Sequence, residues 1–333
     1  MHTLYQRIDC LVCSSLDDPM PIVVTEALQF SKPVICSEYT GSAELLIKEQ
    51  CGFVYRHNDP KELADYLTYI VQHSSEMESM KQAARHTYEK YFSQKVFEQN
   101  VLSAVEKSIS DENDKELGAV TANSLSMKSL VNDFDEHCVQ GDCIYQREIL
   151  LDYDKRPEKK RVLLLTHECS LTGAPVALQN LAESLRQNDV QVLMVSPFDG
   201  PIRKEFEKCE LPTLIYQNIY GDDFLCQQAE KFDLIVLSTV VAYRAVTQLK
   251  NSRVPVLWWI HDSKASYEIG GFGTCLPQEI PHNVNICCGG EYARKQLLAF
   301  YPHYQADILY YVSPDQKDKA MQMLKSKLYL RSE

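Results

Sequence analysis

The chain has 333 residues, 45% of them hydrophobic, and a formal net charge of −12. That length favours two domains with sizeable cores. The acidic balance argues against a nucleic-acid-binding surface, and no apolar run reaches the roughly eighteen residues of a bilayer span. The opening Met1-His2-Thr3-Leu4-Tyr5-Gln6-Arg7 lacks signal-peptide architecture. Twelve cysteines sit mostly inside apolar runs, as Cys10, Cys13, Cys36, Cys287 and Cys288 do, and read as reduced core thiols. Cys10-x-x-Cys13 falls on an expected strand, where positions three apart face opposite ways, so it is a poor metal or redox pair. Cys138 and Cys143 lie in a polar stretch and read as incidental.

Residues 1–108 alternate short apolar runs with helical patterns. Strands are expected at Ile8–Ser14, Pro33–Ser37 and Gly52–Tyr55, and helices at Ile22–Phe30, Ala43–Lys48, Pro60–Gln72, Met77–Tyr91 and Ser93–Ser108. Asn58-Asp59-Pro60 supplies a cap and a first-turn proline. This is half of a parallel α/β layer. Its chemistry gathers at Asp18 and Glu26, which stand eight positions apart across a strand–helix turn. Positions i and i+8 lie roughly 80° apart on a helix, so both carboxylates can address one hydroxyl-rich ligand. The helix start beside Pro19 and Pro21 offers N–H groups to an anion. Hydroxyls plus phosphate suggest a nucleotide-sugar; the plainer alternative is a solvated turn acid and an exposed helical acid. Tyr39-Thr40-Gly41-Ser42-Ala43-Glu44 follows the next strand and either lines the same cleft or caps a helix.

Residues 109–160 are polar, from Asp111-Glu112-Asn113-Asp114-Lys115-Glu116 to Lys155-Arg156-Pro157-Glu158-Lys159-Lys160, and read as an acidic linker with a short helix near Lys128–Phe134. Residues 161–315 read as a second, complete doubly wound unit. Its strands are expected at Val162–Thr166, Gln191–Ser196, Thr213–Tyr216, Asp233–Ser238, Val256–Ile260, Val284–Cys288 and Ile308–Tyr311. Helices such as Pro175–Gln187 and Val240–Leu249 fill the gaps, and a helical tail follows at Gln316–Leu330.

The turn after this unit's first strand, Thr166-His167-Glu168-Cys169-Ser170-Leu171-Thr172-Gly173-Ala174-Pro175, sits where open α/β sheets bind ligands. Gly173 allows close approach of backbone to a bound group. The dinucleotide spacing Gly-x-Gly-x-x-Gly is absent there, which disfavours a nucleotide-dependent oxidoreductase. Trp258-Trp259-Ile260-His261-Asp262 puts His261 at a strand end, as a ligand-facing or a structural histidine. Gly270-Gly271-Phe272-Gly273 is a lid or a plain connection.

With these residues in hand, Asp9–Tyr55 resembles the later half of the donor-nucleotide domain of GT-B glycosyltransferases of the family-4, group-1 type. The resemblance rests on Asp18-x7-Glu26-Ala27-Leu28, Lys32-Pro33-Val34-Ile35, Thr40-Gly41-Ser42-Ala43-Glu44, and Gly52-Phe53-Val54 with Asp59-Pro60. The later segment resembles the acceptor domain of the same family through Thr172-Gly173-Ala174-Pro175, Ser196-Pro197-Phe198-Asp199-Gly200-Pro201, the Trp258–Asp262 run and Leu309-Tyr310-Tyr311-Val312. The resemblance implies an α/β fold of GT-B-type Rossmann-like parallel sheets, one partial and one complete. It implies that Glu26 binds the donor ribose and that Asp18 contacts donor-sugar hydroxyls. The backbone of Met20, Pro21 and Ile22 would lie near the diphosphate, and Gly41 would belong to the same donor site. Gly173 and Ala174 would approach the donor phosphates, and His261 would sit at the reacting centre. It further implies transfer with retention, no essential metal and no cofactor beyond the nucleotide-diphosphate sugar as co-substrate. The acceptor would be a saccharide or a lipid-linked saccharide in cell-surface polysaccharide synthesis.

Asp18 stands where most members carry glutamate, and the order of the two halves is the reverse of the family's. The early donor strands, which carry the family's diphosphate-neutralising Arg and Lys, have no counterpart, so no residue takes that role. The simplest expectation is a piece of a tandem glycosyltransferase: a donor half at 1–108, a linker, an acceptor domain at 161–315, and the start of an interdomain linker at 316–333. Circular permutation is the rival account. A non-catalytic nucleotide-sugar-binding or scaffold module is the alternative function. A cytoplasmic location is expected. The pathway allows peripheral association at the inner face of the membrane, although no basic amphipathic anchor is present.

Overall fold

The computed structural model describes residues 2–73, 75–113 and 125–315. In chain order the elements are α1 (His2–Tyr5), β1 (Leu11–Cys13), α2 (Ile22–Gln29), β2 (Val34–Ser37), α3 (Ala43–Lys48), β3 (Gly52–Tyr55), α4 (Pro60–Gln72), α5 (Met77–Tyr91) and α6 (Gln94–Asn113). There follow α7 (Met127–His137), β4 (Cys143–Tyr145), α8 (Arg147–Asp152), β5 (Arg161–Leu165), α9 (Gly173–Gln187), β6 (Gln191–Ser196), α10 (Arg203–Lys208), β7 (Thr213–Ile215) and α11 (Phe224–Gln228). The last are β8 (Leu234–Ser238), α12 (Tyr243–Leu249), β9 (Val256–Ile260), α13 (Lys264–Glu268), β10 (Val284–Cys288), α14 (Glu291–Leu298) and β11 (Asp307–Ile308). The fold is α/β with parallel sheets, as the sequence implied.

Two compact units result. Unit 1 comprises residues 1–97, 289–299 and the chain from Tyr310 onward; unit 2 comprises Glu98–Cys288 and Phe300–Leu309. Unit 1 holds a three-stranded parallel sheet in the order β1-β2-β3. Alternation along β2 sends Val34 and Cys36 into one core with Val24, Leu28, Leu46 and Tyr88, and Ile35 into another with Tyr55, Ile70 and Met77. Cys10 and Cys13 fall in these two different cores, so the Cys-x-x-Cys pair does face opposite ways. Burial holds Cys36 as a thiol, its pKa pushed up to about 12. Strand β1 is shorter than Ile8–Ser14 and is an edge, with Val12 39% exposed.

The late segments of unit 1 depart from the 161–315 boundary read from sequence, for a packing reason. Tyr310 meets Tyr91 and Phe92 edge-on at centroid distances of 5.6 and 5.3 Å. Tyr88 donates to the Ser313 carbonyl at 2.7 Å, Gln29 Nε2 to the Pro314 carbonyl at 2.9 Å, and Arg85 pairs with Asp315 at 2.8 Å. The residues read as a last strand, Ile308–Tyr311, therefore split: Ile308 ends β11, and Tyr310 and Tyr311 pack against the unit 1 core.

Unit 2 is an eight-stranded sheet in the order β11-β10-β9-β8-β5-β6-β7-β4, parallel except for β4. The order reverses between β5 and β8, so a crevice opens at the carboxyl ends of those two strands. Strands β5, β6, β8 and β9 are buried along their whole length, which explains their continuous apolar runs.

The acidic linker expected over 109–160 is corrected in its second half. Residues 126–155 are structural: Met127, Leu130 and Phe134 of α7 and Leu150 of α8 are buried, and β4 closes one edge of the sheet against β7. The anchor is Arg161, 1% exposed at the start of β5. Its guanidinium donates to Gln191 Oε1 (3.1 Å), the Leu125 carbonyl (2.7 Å), the Tyr153 carbonyl (3.2 Å) and Asp154 Oδ1 (3.3 Å). Burial works against ionisation of Asp154. Hydrogen bonds from Ser126 and the Met127 and Lys128 N–H groups, with the charge of Arg161, nonetheless hold its carboxyl below the usual range. The tail at 316–333, expected as helix and linker, lies outside the described residues, as do 114–124 of the acidic stretch.

Replacing Arg161 by leucine strands these acceptors without donors. Urea unfolding of the R161L variant is expected to show a loss of about 2–3 kcal/mol relative to the parent chain. An unchanged midpoint would mean that 126–155 is held by its apolar contacts alone.

Candidate functional sites in the two units

In unit 1 the acid loop is fixed by backbone. The Gly41 N–H donates to the Asp18 carbonyl at 2.7 Å, and Asp18 and Thr40 form an isolated parallel bridge. A Cβ on Gly41 would lie 1.8 Å from the Pro19 oxygen, so only glycine permits this approach. Gly41 thus belongs to the acid loop as its clamp. The Thr40-Gly41-Ser42 turn is itself buried, with Ser42 0% exposed.

Asp18 Oδ1 accepts the Met20 N–H at 3.1 Å, which turns the loop into the start of α2. Burial first, then the charge of Asp17, push the Asp18 carboxyl above the ordinary carboxylate range, against the pull of the Met20 N–H. Met20 is buried in the core and contributes through its backbone. Pro21 is the N-cap of α2 and brings no side-chain cap, so the helix opens with Ile22 and Val23 in its first turn. Glu26 lies two turns on and is half-buried. Its Oε2 accepts the Tyr5 hydroxyl at 2.8 Å, and the Tyr5 ring stacks on Phe30 at 5.5 Å. Both predicted acids thus lie on unit 1, Asp18 in the loop before α2 and Glu26 within that helix.

Sequence reasoning missed Tyr5 and Tyr292. Tyr5 orients Glu26 from α1, and Tyr292 of α14 donates to Asp17 Oδ1 at 2.6 Å. These bonds span 21 and 275 positions, so no local pattern announces them.

In unit 2 the crevice between β5 and β8 is lined by the turn that follows β5. Thr166 Oγ1 donates to the Glu168 carbonyl at 2.9 Å, and Ser170 donates to Glu168 Oε1 at 2.5 Å. Helix α9 starts at Gly173 with Thr172 as an N-cap that makes no side-chain hydrogen bond. Gly173 is exposed and Ala174 half-exposed, and a Cβ on Gly173 would meet nothing within 4 Å. The first turn of α9 therefore faces open space.

His261 directly follows β9, its ring 4.3 Å from that of Trp259. Desolvation, helped by the charge of His167, holds its imidazole at about 3, so it is neutral at physiological pH. His167 is likewise lowered by burial, against Glu168. Asp262 serves structure: it is 8% exposed and its Oδ2 accepts the Val240 N–H at 2.6 Å, pinning the 3-10 turn Val240–Ala242 that follows β8. That turn replaces the first part of the helix expected over Val240–Leu249. The Gly270–Gly273 stretch runs into a 3-10 turn at Phe272–Thr274, beside Phe300 stacked on Tyr267 at 5.1 Å. It has the packing of a connection.

Among the described residues no group of three His, Cys, Asp or Glu side chains could hold a metal ion. The sites read from sequence thus divide between the units: Asp18, Met20, Pro21, Ile22, Glu26 and Gly41 in unit 1, and Gly173, Ala174 and His261 in unit 2.

Comparison with known families gives two matches. Residues 1–87 match the model described as glycosyl transferases group 1. Residues 158–270 match the model described as glycosyl-transferase family 4. The chain is of the GT-B glycosyltransferase type. No curated protein and no solved structure matches it. The first match contains the acid loop, α2 and the Gly41 turn of this glycosyltransferase; the second contains the β5 turn, α9 and His261. Neither includes α14 or β11, and no helix among the described residues is long and apolar enough to cross a membrane.

Two outcomes are expected. Tyr5→Phe keeps the stack on Phe30 and removes the hydroxyl. Thermal unfolding should therefore cost only about 0.5–1.5 kcal/mol, while any ligand affinity that depends on Glu26 falls by more. The second concerns pH. Asp262 has its pKa raised to about 6, so its contribution is present below the unfolded value of about 4 and is lost as pH rises through about 6. His261 is depressed to about 3, so its contribution is present above about 6.5 and is lost as pH falls through about 3. The two oppose each other over one window. Asp262→Asn should make stability rise more steeply from pH 4 to 6.5, and His261→Gln should make it rise less or fall, by urea unfolding at each pH. Parallel curves for all three proteins would contradict this.

Proposed function

We propose that the glycosyltransferase moves a hexose from a nucleotide-diphosphate sugar to a saccharide or glycolipid acceptor with retention, in the building of cell-surface polysaccharide. The observation that carries the reading is the pairing in unit 1 of a clamped, desolvated Asp18 with a Glu26 whose carboxylate is oriented by Tyr5, on either side of a helix start without a side-chain cap. Glu26 accepts hydrogen bonds from the ribose hydroxyls, and Asp18 accepts from hydroxyls of the donor sugar. The backbone at Met20 to Ile22 lies toward the diphosphate with the Ile22 N–H as its donor, since Asp18 holds the Met20 N–H and Pro21 has none. In unit 2, taken by itself, the first turn of α9 offers the N–H groups of Gly173 and Ala174 to a phosphate. Within unit 2, taken by itself, His261 is a neutral imidazole, so any aid it gives to transfer is by hydrogen bonding and not by charge.

In the transfer, the bond between the anomeric carbon and the phosphate oxygen breaks. The acceptor oxygen bonds to that carbon, and its proton passes to the departing phosphate. The chain's task is to orient the reactants and to stabilise the leaving diphosphate. Two carboxylates flanking the bond as acid and nucleophile, the glycosidase scheme, are not required.

Glu26→Ala should weaken binding of a labelled nucleotide-sugar about tenfold or more. His261→Ala should reduce turnover with little change in donor affinity. Unchanged donor binding in the Glu26 variant would remove the ribose assignment. Donor binding without turnover in the parent chain, across a panel of acceptors, would instead mark a binding module.

A further inference from the structure

Unit 2 carries a second concavity at the opposite end of its sheet from the β5–β8 crevice. It is a cavity of about 350 Å³, bordered by the loop after α8, the end of α9 and the start of β6. Arg161 and Gln191 begin β5 and β6 here, so about 16 Å of strand separates this end from the crevice. Its lining includes four cations, Lys155, Arg156, Lys159 and Arg186, against two carboxylates, Asp152 and Asp189. The local balance is positive in a chain whose net charge is −12.

The cations are not all neutralised by the wall. Lys155 pairs with Asp152 at 2.7 Å and Lys159 pairs with Asp189. Arg186 donates to the Cys209 carbonyl, which satisfies a donor without cancelling the charge. Neither arginine has a carboxylate partner among the ion pairs of the described residues. Arg186 is carried by the last turn of α9, and the loop that presents Arg156 is built on a fixed floor. Gln191, 6% exposed, donates to the Tyr153 and Arg156 carbonyls at 3.0 and 3.3 Å and accepts from Arg161. Tyr153 is pinned in turn through its hydroxyl to the Val192 carbonyl at 2.8 Å. The backbone bearing Arg156 is thereby set before any ligand arrives, which lowers the cost of ordering it.

We infer that this cavity is a binding site for a phosphate-bearing ligand, separate from the glycosyl-transfer chemistry. Two guanidinium groups with charge to spare match the geometry of phosphate oxygens, and two lysines can turn from their aspartates to add to them. The volume lies within the range of small-molecule sites. The same chemistry would take a soluble phosphate or pyrophosphate ester, or the headgroup of an anionic lipid.

The test is calorimetric titration of the full chain with inorganic pyrophosphate at low and at physiological ionic strength. The parent chain should show a saturable class of sites that Arg156→Ala and Arg186→Gln each weaken about tenfold or more. Glu26→Ala and the surface control Lys61→Ala should leave that class in place. Sedimentation with vesicles of phosphatidylglycerol, against phosphatidylcholine alone, separates the sources. Arg156-dependent pelleting assigns the site to a lipid headgroup, and pyrophosphate binding without pelleting assigns it to a soluble phosphate. Isotherms that coincide for the parent and both arginine variants, or the absence of saturation in the parent, would overturn the inference.

Discussion

A buried guanidinium cannot be left with donors unmatched, and Arg161 meets that demand by gathering chain from both sides. It stands at the first position of the sheet's central strand β5, and its acceptors come from Leu125, Tyr153, Asp154 and Gln191. The consequence runs outward. The polar stretch before β5 becomes ordered structure, α7 lays Phe134 against Tyr216 and Phe224, and β4 closes the edge that β7 would otherwise expose. The same network sets the floor of the cationic cavity. Stability and the presentation of Arg156 therefore share one interaction.

The two candidate sites solve a similar problem by different means. In unit 1 the acid loop is held from behind by backbone, through the contact that only Gly41 allows, so Asp18 keeps its carboxylate available while its main chain is fixed. In unit 2 a side chain does the holding. Asp262 is consumed in pinning the turn after β8. Proximity in sequence made His261 and Asp262 look like a working pair; the buried Asp262 carboxylate instead holds backbone.

The sequence made the sheets legible wherever strands were buried on both faces. Val162 to Leu165 reads as a strand because nothing polar interrupts it, and β6, β8, β9 and β10 lie where their apolar runs place them. Strand β4 was unreadable: three residues set among acids and glycine carry too little pattern, and its pairing with β7 is made by tertiary context. The acid pair was visible because Asp18 and Glu26 lie on one short stretch. Tyr5 and Tyr292, which hold that stretch's carboxylates, were invisible because hydrogen bonds between distant segments leave no trace in local composition. The roles of Tyr310 and Tyr311 were misplaced for a related reason. An apolar run at the end of a strand continues it in sequence, yet their rings find their partners in the other unit's core.

Unit 1 is discontinuous, and this constrains how the molecule comes into being. Tyr88, Gln29 and Arg85 each bond to the late residues Ser313, Pro314 and Asp315. On the ribosome the acid loop and its sheet emerge first, but the residues that finish their core are translated after nearly all of unit 2. The early segment must wait as an unfinished layer with an open β-edge while the later unit folds around its own local contacts. Closing so long a loop is an entropic burden that falls late and once. Nascent chains interrupted before Tyr310 would display that unfinished layer, which is the form most open to chaperones and to pairing between copies.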